Sequence, residues 1–172
     1  TIIVHDNGVY GLTTGQVAPT AHKGTISKST PTGIIERSVS PLAFAISQGA
    51  TFVAQSFAGD IPHMKEMIEL GMRHRGLSLV NVLQPCVTFN RVNTYQYYLK
   101  NSYKLDAKYD PSSYSGALVK AIEMDEEKFP LGVIYQTDSK PYHEQVPAYQ
   151  QDKPLVQIPR ISTLHDLLEE YR

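Results

Sequence analysis

The sequence predicts an α/β fold in which helices flank a mainly parallel sheet and an irregular carboxyl-terminal arm follows. Two observations carry this prediction. Short apolar runs alternate with segments of helical periodicity, an order of elements that is typical of layered α/β domains. The 172 residues are 41% hydrophobic, which is enough apolar material for the core of one domain.

Four apolar segments are predicted to be strands. Thr1–Val4 is predicted to be a short buried strand, because branched apolar residues follow one another without a polar interruption. The later strands are predicted at Thr51–Gln55, Leu77–Leu83 and Leu131–Tyr135. Residues 5–39, between the first strand and the first helix, are predicted to be mostly loop.

Helix-start signals lie between these strands. Ser40 before Pro41 combines a capping hydroxyl with proline at the first helical position, which predicts a helix over Leu42–Ser47 that stops at Gly49. Asp60-Ile61-Pro62 opens a second helix, which is predicted to end near Gly76. Periodicity predicts three further helices, at Asn93–Lys104, Tyr114–Asp125 and Thr163–Tyr171.

The chain is predicted to divide into a domain over residues 1–135 and an arm with a final helix over residues 136–172. The segment Gln136–Pro159 is rich in Pro, Gln and Tyr, a composition that favours an arm or a loop over a surface rather than core. The first residue is Thr and not Met, and it falls in a predicted strand. We therefore expect this chain to be part of a longer polypeptide.

Composition argues against two classes of partner. The formal net charge of -1 offers no general attraction for nucleic acid or for an anionic membrane. Tyrosines interleaved with Arg91, Lys100, Lys104 and Lys108 could stack on single-stranded bases, but their helical spacing favours a half-buried amphipathic helix. No apolar run has the length of a membrane helix. The single cysteine excludes an internal disulfide and fits a reducing cytoplasm.

The stretch DNGVYGLTTGQ follows the first predicted strand, where ligands bind in open parallel sheets. Its glycines allow backbone amides to approach a diphosphate, and the oxygen of Asn7 together with nearby carbonyls suits Mg²⁺. The alternative is a glycine-rich turn in which Asn7 caps its own backbone. The residues alone favour the alternative, because the glycine spacing of known phosphate loops is absent.

Cys86 follows the third predicted strand, in the stretch VLQPCVTFN. A lone cysteine is most often a small buried apolar residue. The functional alternative is a metal or cluster ligand at the end of a strand, but a 4Fe–4S cluster normally takes four thiolates and this chain has one cysteine. The residues alone therefore favour the inert interpretation.

Three stretches, taken together, resemble the β subunit of the two-subunit 2-oxoacid:ferredoxin oxidoreductases. They are DNGVYGLTTGQVAPT, GATFVAQSFAGD and VLQPCVTFNRVNTY, and FPLGVIYQ resembles the last strand of that family. The order and the approximate spacing match from Thr1 to about Gln157. The resemblance implies that the predicted sheet is part of a thiamine diphosphate-binding domain.

The resemblance also implies roles for individual residues. The side chain of Asn7 and the backbone carbonyl of Val9 match the Mg²⁺ ligands of the family, and the amides of Gly11 and Leu12 match those that face the diphosphate. Cys86 matches the fourth cysteine of a 4Fe–4S cluster, so the resemblance reverses the preference for an inert cysteine.

One position departs from the family pattern. Thr14 stands where many members carry lysine, in a region that faces the 2-oxoacid, so a preference for the second carboxylate of 2-oxoglutarate is not implied. The Gly-Asp-Gly half of the thiamine motif and the other three family cysteines are absent from this sequence. The resemblance is therefore to the carboxyl-terminal portion of such a subunit.

The implied activity is oxidative decarboxylation of a 2-oxoacid, pyruvate or 2-oxoglutarate, to its acyl-coenzyme A, with electrons passed to ferredoxin. The implied partner is an α subunit, which carries the glutamate that activates thiamine, so no catalytic acid or base is assigned in this chain. One alternative is a non-oxidative thiamine diphosphate enzyme, which explains the Asn7 stretch but not Cys86. The other is a truncated, non-catalytic assembly fragment. The 172 residues alone are expected to be inactive.

Overall fold

Seven strands and five helices are present in the computed structural model, which describes residues 1–147, 155–157 and 168. The strands are β1 (Ile2–Asp6), β2 (Val9–Tyr10), β3 (Gln16–Val17), β4 (Phe52–Phe57), β5 (Ser78–Leu83), β6 (Ser102–Lys104) and β7 (Phe129–Gln136). The helices are α1 (Pro41–Ser47), α2 (Ile61–Arg73), α3 (Tyr95–Asn101), α4 (Tyr114–Ala121) and α5 (Tyr142–Gln145), with short 3-10 helices at Glu123–Glu126 and Leu155–Gln157.

The chain forms two compact units, residues 1–139 and residues 140–172. The first unit holds a five-stranded sheet in the order β1-β5-β4-β7-β6, in which β4 and β7 run antiparallel and the other neighbours run parallel. The predicted α/β class with a mainly parallel sheet is confirmed. In the second unit, the helix predicted at 163–171 lies outside the described residues, apart from Leu168.

The prediction that the first strand is buried is wrong. Within the described part of the chain β1 pairs only with β5, so it forms an edge of the sheet. Ile2 is consequently 50% exposed although its sequence is that of a buried strand. A branched apolar run predicts a strand but not the position of that strand in the sheet.

Two predicted helices are shorter than expected. Helix α3 begins only after Thr94, whose side chain accepts the Tyr97 N–H at 3.2 Å, and the chain extends again from Ser102 to pair with β7. Helix α4 ends at Ala121 and a 3-10 helix follows. The long predicted loop also contains the small β2–β3 hairpin. The helices predicted from Ser40 and Asp60 are confirmed, with both side chains as N-caps.

Apolar side chains cover both faces of the sheet, because successive residues of a strand point to opposite sides. On one face Val53 and Ile134 pack with α1 and α4, and on the other Phe52 and Ala54 pack with α2. No helix among the described residues is both long and apolar enough to cross a membrane.

The parallel strands place three loops at one edge of the sheet. Asp6 and Phe57 both lie opposite Leu83, so β1, β4 and β5 end level with one another. The turn that starts at Asn7 and the segment that leads to Cys86 therefore leave the sheet as neighbours.

Shortening a buried side chain of the sheet should destabilise the first unit far more than shortening an exposed one. Ile134→Ala removes a side chain that is 0% exposed and should lower the free energy of unfolding by about 2 to 5 kcal/mol in urea titrations. Ile35→Ala, the same change at a side chain that is 79% exposed, should stay within about 0.5 kcal/mol. Equal losses in the two variants would contradict this assignment of the core.

Candidate functional site

A tight turn follows β1. The side-chain oxygen of Asn7 accepts the N–H of Val9 at 3.0 Å, and Gly8 has a left-handed φ of 67°. Asn7 thus caps its own backbone, as the alternative interpretation expected. An amide oxygen carries two lone pairs, however, so this bond leaves the same atom able to bind a cation.

The next turn, from Tyr10 to Gly15, is held by its own backbone. The carbonyl of Tyr10 accepts the Gly15 N–H at 3.1 Å and the Thr13 hydroxyl at 3.3 Å. The carbonyl of Gly11 accepts the Thr14 N–H at 3.1 Å. Thr14 has a φ of 64°, a strained conformation for a β-branched residue. The turn therefore keeps its shape without burying side chains, and Leu12 is 98% exposed.

A cavity of about 460 Å³ lies between these turns and the end of β1. Its wall contains all four residues predicted to hold the diphosphate and its metal: Asn7, Val9, Gly11 and Leu12. Thr14, predicted to face the substrate, is not among the residues that line this cavity, whereas the adjacent Thr13 is. The structure thus brings the predicted cofactor residues together and leaves Thr14 outside their cavity.

Asp6 is a buried carboxyl in the same wall, and it was not among the predicted site residues. Its side chain is 7% exposed and accepts the Thr20 hydroxyl at 2.6 Å and the Gly8 N–H at 3.3 Å. Burial raises the pKa of Asp6 above its ordinary value, although the hydrogen bonds from Thr20, Gly8 and Asn81 act in the opposite direction. An acidic residue directly after a predicted strand was the sequence signal that could have placed Asp6 in the candidate site.

Asn90 joins the segment after Cys86 to the turn after β1. Its side-chain amide donates to the backbone carbonyl of Asn7 at 2.9 Å and to the side-chain oxygen of Asn93 at 3.0 Å. A Cβ atom at Gly8 would lie 3.1 Å from that amide nitrogen, so the glycine allows the close approach. Nothing in the spacing of the sequence indicates this bond, because its partners are 83 residues apart.

A second contact joins the same two segments. Phe89 packs against Gly15, where an added Cβ would lie 3.4 Å from the Cβ of Phe89. Gly15 has a φ of 104°, a conformation that favours glycine. The two contacts hold the β2–β3 hairpin and the turn before it against the Cys86 segment.

Cys86 lies at the start of this segment and is partly buried. Burial alone would raise the pKa of its thiol, but hydrogen bonds from the backbone N–H groups of Phe89, Thr88 and Asn90 lower the pKa overall, with help from the charge of Arg91. A lowered pKa favours the thiolate, the form that binds metals. Across the described residues no three His, Cys, Asp or Glu side chains group as a metal site, so a cluster at Cys86 needs ligands from outside them.

The fold and the two loops have counterparts among known proteins. Residues 1–82 match the family described as "Thiamine pyrophosphate enzyme, C-terminal TPP binding domain". Residues 86–151 match the family that represents the C-terminal region of the pyruvate ferredoxin oxidoreductase beta subunit. The sheet and the loops at its edge thus define a domain of the thiamine diphosphate-binding class.

Individual relatives narrow this class. The chain is 43% identical to the 2-oxoacid:ferredoxin oxidoreductase subunit beta of a Sulfolobus species, over 84% of this chain and 50% of that protein. The Saccharolobus solfataricus subunit is 42% identical, over 84% and 51%. A solved 2-oxoglutarate:ferredoxin oxidoreductase from Magnetococcus marinus superimposes with a TM-score of 0.77 and 34% identity, over 81% of this chain and 47% of that chain.

The chain belongs to the β-subunit family of the 2-oxoacid:ferredoxin oxidoreductases, as the resemblance of its motifs predicted. It spans about half the length of the curated relatives that it matches.

Asp6→Asn should change how stability depends on pH. The raised pKa means that the folded chain holds this proton more tightly than the unfolded chain, where the pKa is near 3.8. The stabilisation that comes with the proton is complete below that value and is lost as the pH rises through the folded-state pKa. Asparagine does not ionise, so urea unfolding from about pH 3 to 7 should show the variant gaining stability relative to the parent.

The matched control is Asp110→Asn. Hydrogen bonds from the hydroxyl and N–H of Ser112 lower the pKa of this exposed carboxyl, so its ionised form is favoured in the folded chain. Asp110→Asn should therefore lose stability relative to the parent as the pH rises. The same sign for both variants would rule out the role given to burial at Asp6.

Proposed function

We propose that this chain is part of a subunit that oxidatively decarboxylates pyruvate or 2-oxoglutarate to the acyl-coenzyme A and passes the electrons through a 4Fe–4S cluster to ferredoxin. The supporting observation is the hydrogen bond from Asn90 to Asn7, which holds the proposed thiamine turn against the segment of Cys86. Such a reaction needs its organic cofactor beside an electron acceptor. The names of the relatives give the same reaction class.

The residues around the cavity fit Mg²⁺ and thiamine diphosphate. The side-chain oxygen of Asn7 and the carbonyl of Val9 would bind the metal, and the amides of Gly11 and Leu12 would donate to the diphosphate. When bound, thiamine diphosphate supplies the electron sink for decarboxylation. This chain's own part is to bind and orient the cofactor, and we assign no catalytic acid or base within it.

Cys86 would hold one iron of the cluster. The backbone N–H groups that lower the pKa of its thiol would also stabilise the negative charge of a bound cluster. Hydrogen bonds to cluster sulfurs are among the factors that set a reduction potential. The segment therefore offers both a ligand and a means of tuning it.

The partners belong to the same proposal. An α subunit would supply the activating glutamate. The part of the β subunit that this chain does not span would supply the remaining magnesium ligand and the other thiolates. The Magnetococcus marinus enzyme was solved with 2-oxoglutarate, coenzyme A and succinyl-CoA bound. We propose that coenzyme A and ferredoxin also serve this enzyme, in the cytoplasm, with no part for nucleic acid or a membrane.

Asn7→Ala should weaken binding of Mg-thiamine diphosphate to the complete two-subunit enzyme by about tenfold or more, because one metal ligand is lost. Calorimetric titration measures this. Asn7→Asp retains an oxygen both for the metal and for the Val9 N–H, so it should restore much of the affinity. Asn101→Ala, at the end of α3, is the control and should bind normally. Normal affinity in Asn7→Ala would remove Asn7 from the proposed ligands.

Thr14→Lys should raise kcat/KM for 2-oxoglutarate relative to pyruvate, since a cation near the substrate can pair with the second carboxylate. Lysine is not β-branched and should tolerate the positive φ at this position better than threonine. Thr14→Met adds similar length without charge and should leave the ratio unchanged. If lysine also leaves it unchanged, residue 14 lies beyond reach of the substrate.

A further inference from the structure

We infer that Asn90 is a positioning residue that couples the two cofactor sites, so that cluster ligation at Cys86 and thiamine diphosphate binding at the Asn7 turn strengthen each other. This inference rests on the proposed function, because it assumes that both groups bind where proposed.

Asn90 contacts both sites directly. Its backbone N–H donates to the carbonyl of Cys86 at 3.2 Å. Its side chain donates to the carbonyl of Asn7 at 2.9 Å. The side chain of Asn7 in turn accepts the Val9 N–H. Asn90 therefore connects the two proposed metal-binding segments by hydrogen bonds.

The side chain of Asn90 has little freedom to absorb a displacement. It is 4% exposed, and both its nitrogen and its oxygen are fully used. The nitrogen donates to Asn7 and to Asn93, and the oxygen accepts the N–H groups of Val92 and Asn93, each at 2.9 Å. Rotation of the amide would break bonds on both sides, so an altered Cys86 segment must also alter the Asn7 carbonyl.

Coupling of this kind is reciprocal. If a bound cluster orders the Cys86 segment, it also holds Asn7 in place for Mg²⁺, and a bound thiamine diphosphate stabilises the same arrangement for the cluster. Typical coupling changes an affinity by about fivefold or more. Phe89 on Gly15 offers another mechanical link between these segments, so the test must separate it from Asn90.

The test uses the complete two-subunit enzyme, with its cluster intact or removed by a chelator. Affinity for Mg-thiamine diphosphate is measured in both forms. Cluster removal should weaken binding by about fivefold or more in the parent and should have little effect in Asn90→Asp. Asn90→Asp keeps the acceptor oxygen for Val92 and Asn93 but loses the donor to Asn7. Asn101→Asp has the same charge change elsewhere and should behave as the parent.

Two additions make the outcome decisive. Asn90→Ala removes the donor without adding charge and should also abolish the dependence on the cluster. In the reciprocal measurement, thiamine diphosphate should shift the midpoint potential of the cluster in the parent but not in either Asn90 variant. A residue that only stabilised the fold would weaken both enzyme forms alike and leave the parent's ratio intact.

The possible failures differ from one another. A parent whose affinity does not depend on the cluster, or Asn90 variants that keep the parent's ratio, would overturn the coupling; in the second case Phe89 would carry the link. A complete enzyme that binds thiamine diphosphate but whose cluster survives Cys86→Ala would overturn the proposed role of Cys86 and this inference with it.

Discussion

The arrangement of this site depends on a partly buried hydrogen bond, from the side chain of Asn90 to the carbonyl of Asn7. Parallel pairing of β1 with β5 brings the two loops to the same edge of the sheet, but pairing alone does not orient them. The amide of Asn90 does so, and Gly8 leaves the space it needs. A buried donor that lacks an acceptor raises the free energy by roughly 1 to 3 kcal/mol, so separating the two loops is unfavourable.

The faces of the sheet contribute favourably to the free energy of folding, whereas the edge that carries the candidate site includes an unfavourable term. Apolar contacts on both faces of β4 and β5 stabilise the unit, whereas the polar edge buries a carboxyl at Asp6 whose pKa is raised by loss of water. Thr20 and the Gly8 N–H offset part of that cost. Unfavourable groups of this kind are retained where a site needs them, and the surrounding core keeps them in place.

Local signals in the sequence were sufficient where local physics decides the structure. The helices after Ser40 and Asp60 were predictable because capping and proline act over a few residues. The edge position of β1, and with it the exposure of this strand, was not predictable, because it depends on which strands lie beside β1. The Asn7 turn was visible as a glycine-rich stretch, but Asn90 was not, since its partner is 83 residues away. Contacts between residues distant in the sequence thus determine the features that local sequence patterns do not predict.

The turn from Tyr10 to Gly15, which we propose as the cofactor turn, would separate cofactor binding from side-chain chemistry. Its shape comes from hydrogen bonds that backbone N–H groups donate to the carbonyls of Tyr10 and Gly11. The side chains of Leu12, Thr13 and Thr14 are exposed. Substitutions at these positions therefore cost little folding free energy as long as the positive φ at residue 14 is tolerated. If the proposed role of the turn holds, its exposed side chains can change while the same backbone amides still face the diphosphate, because the backbone alone sets its shape.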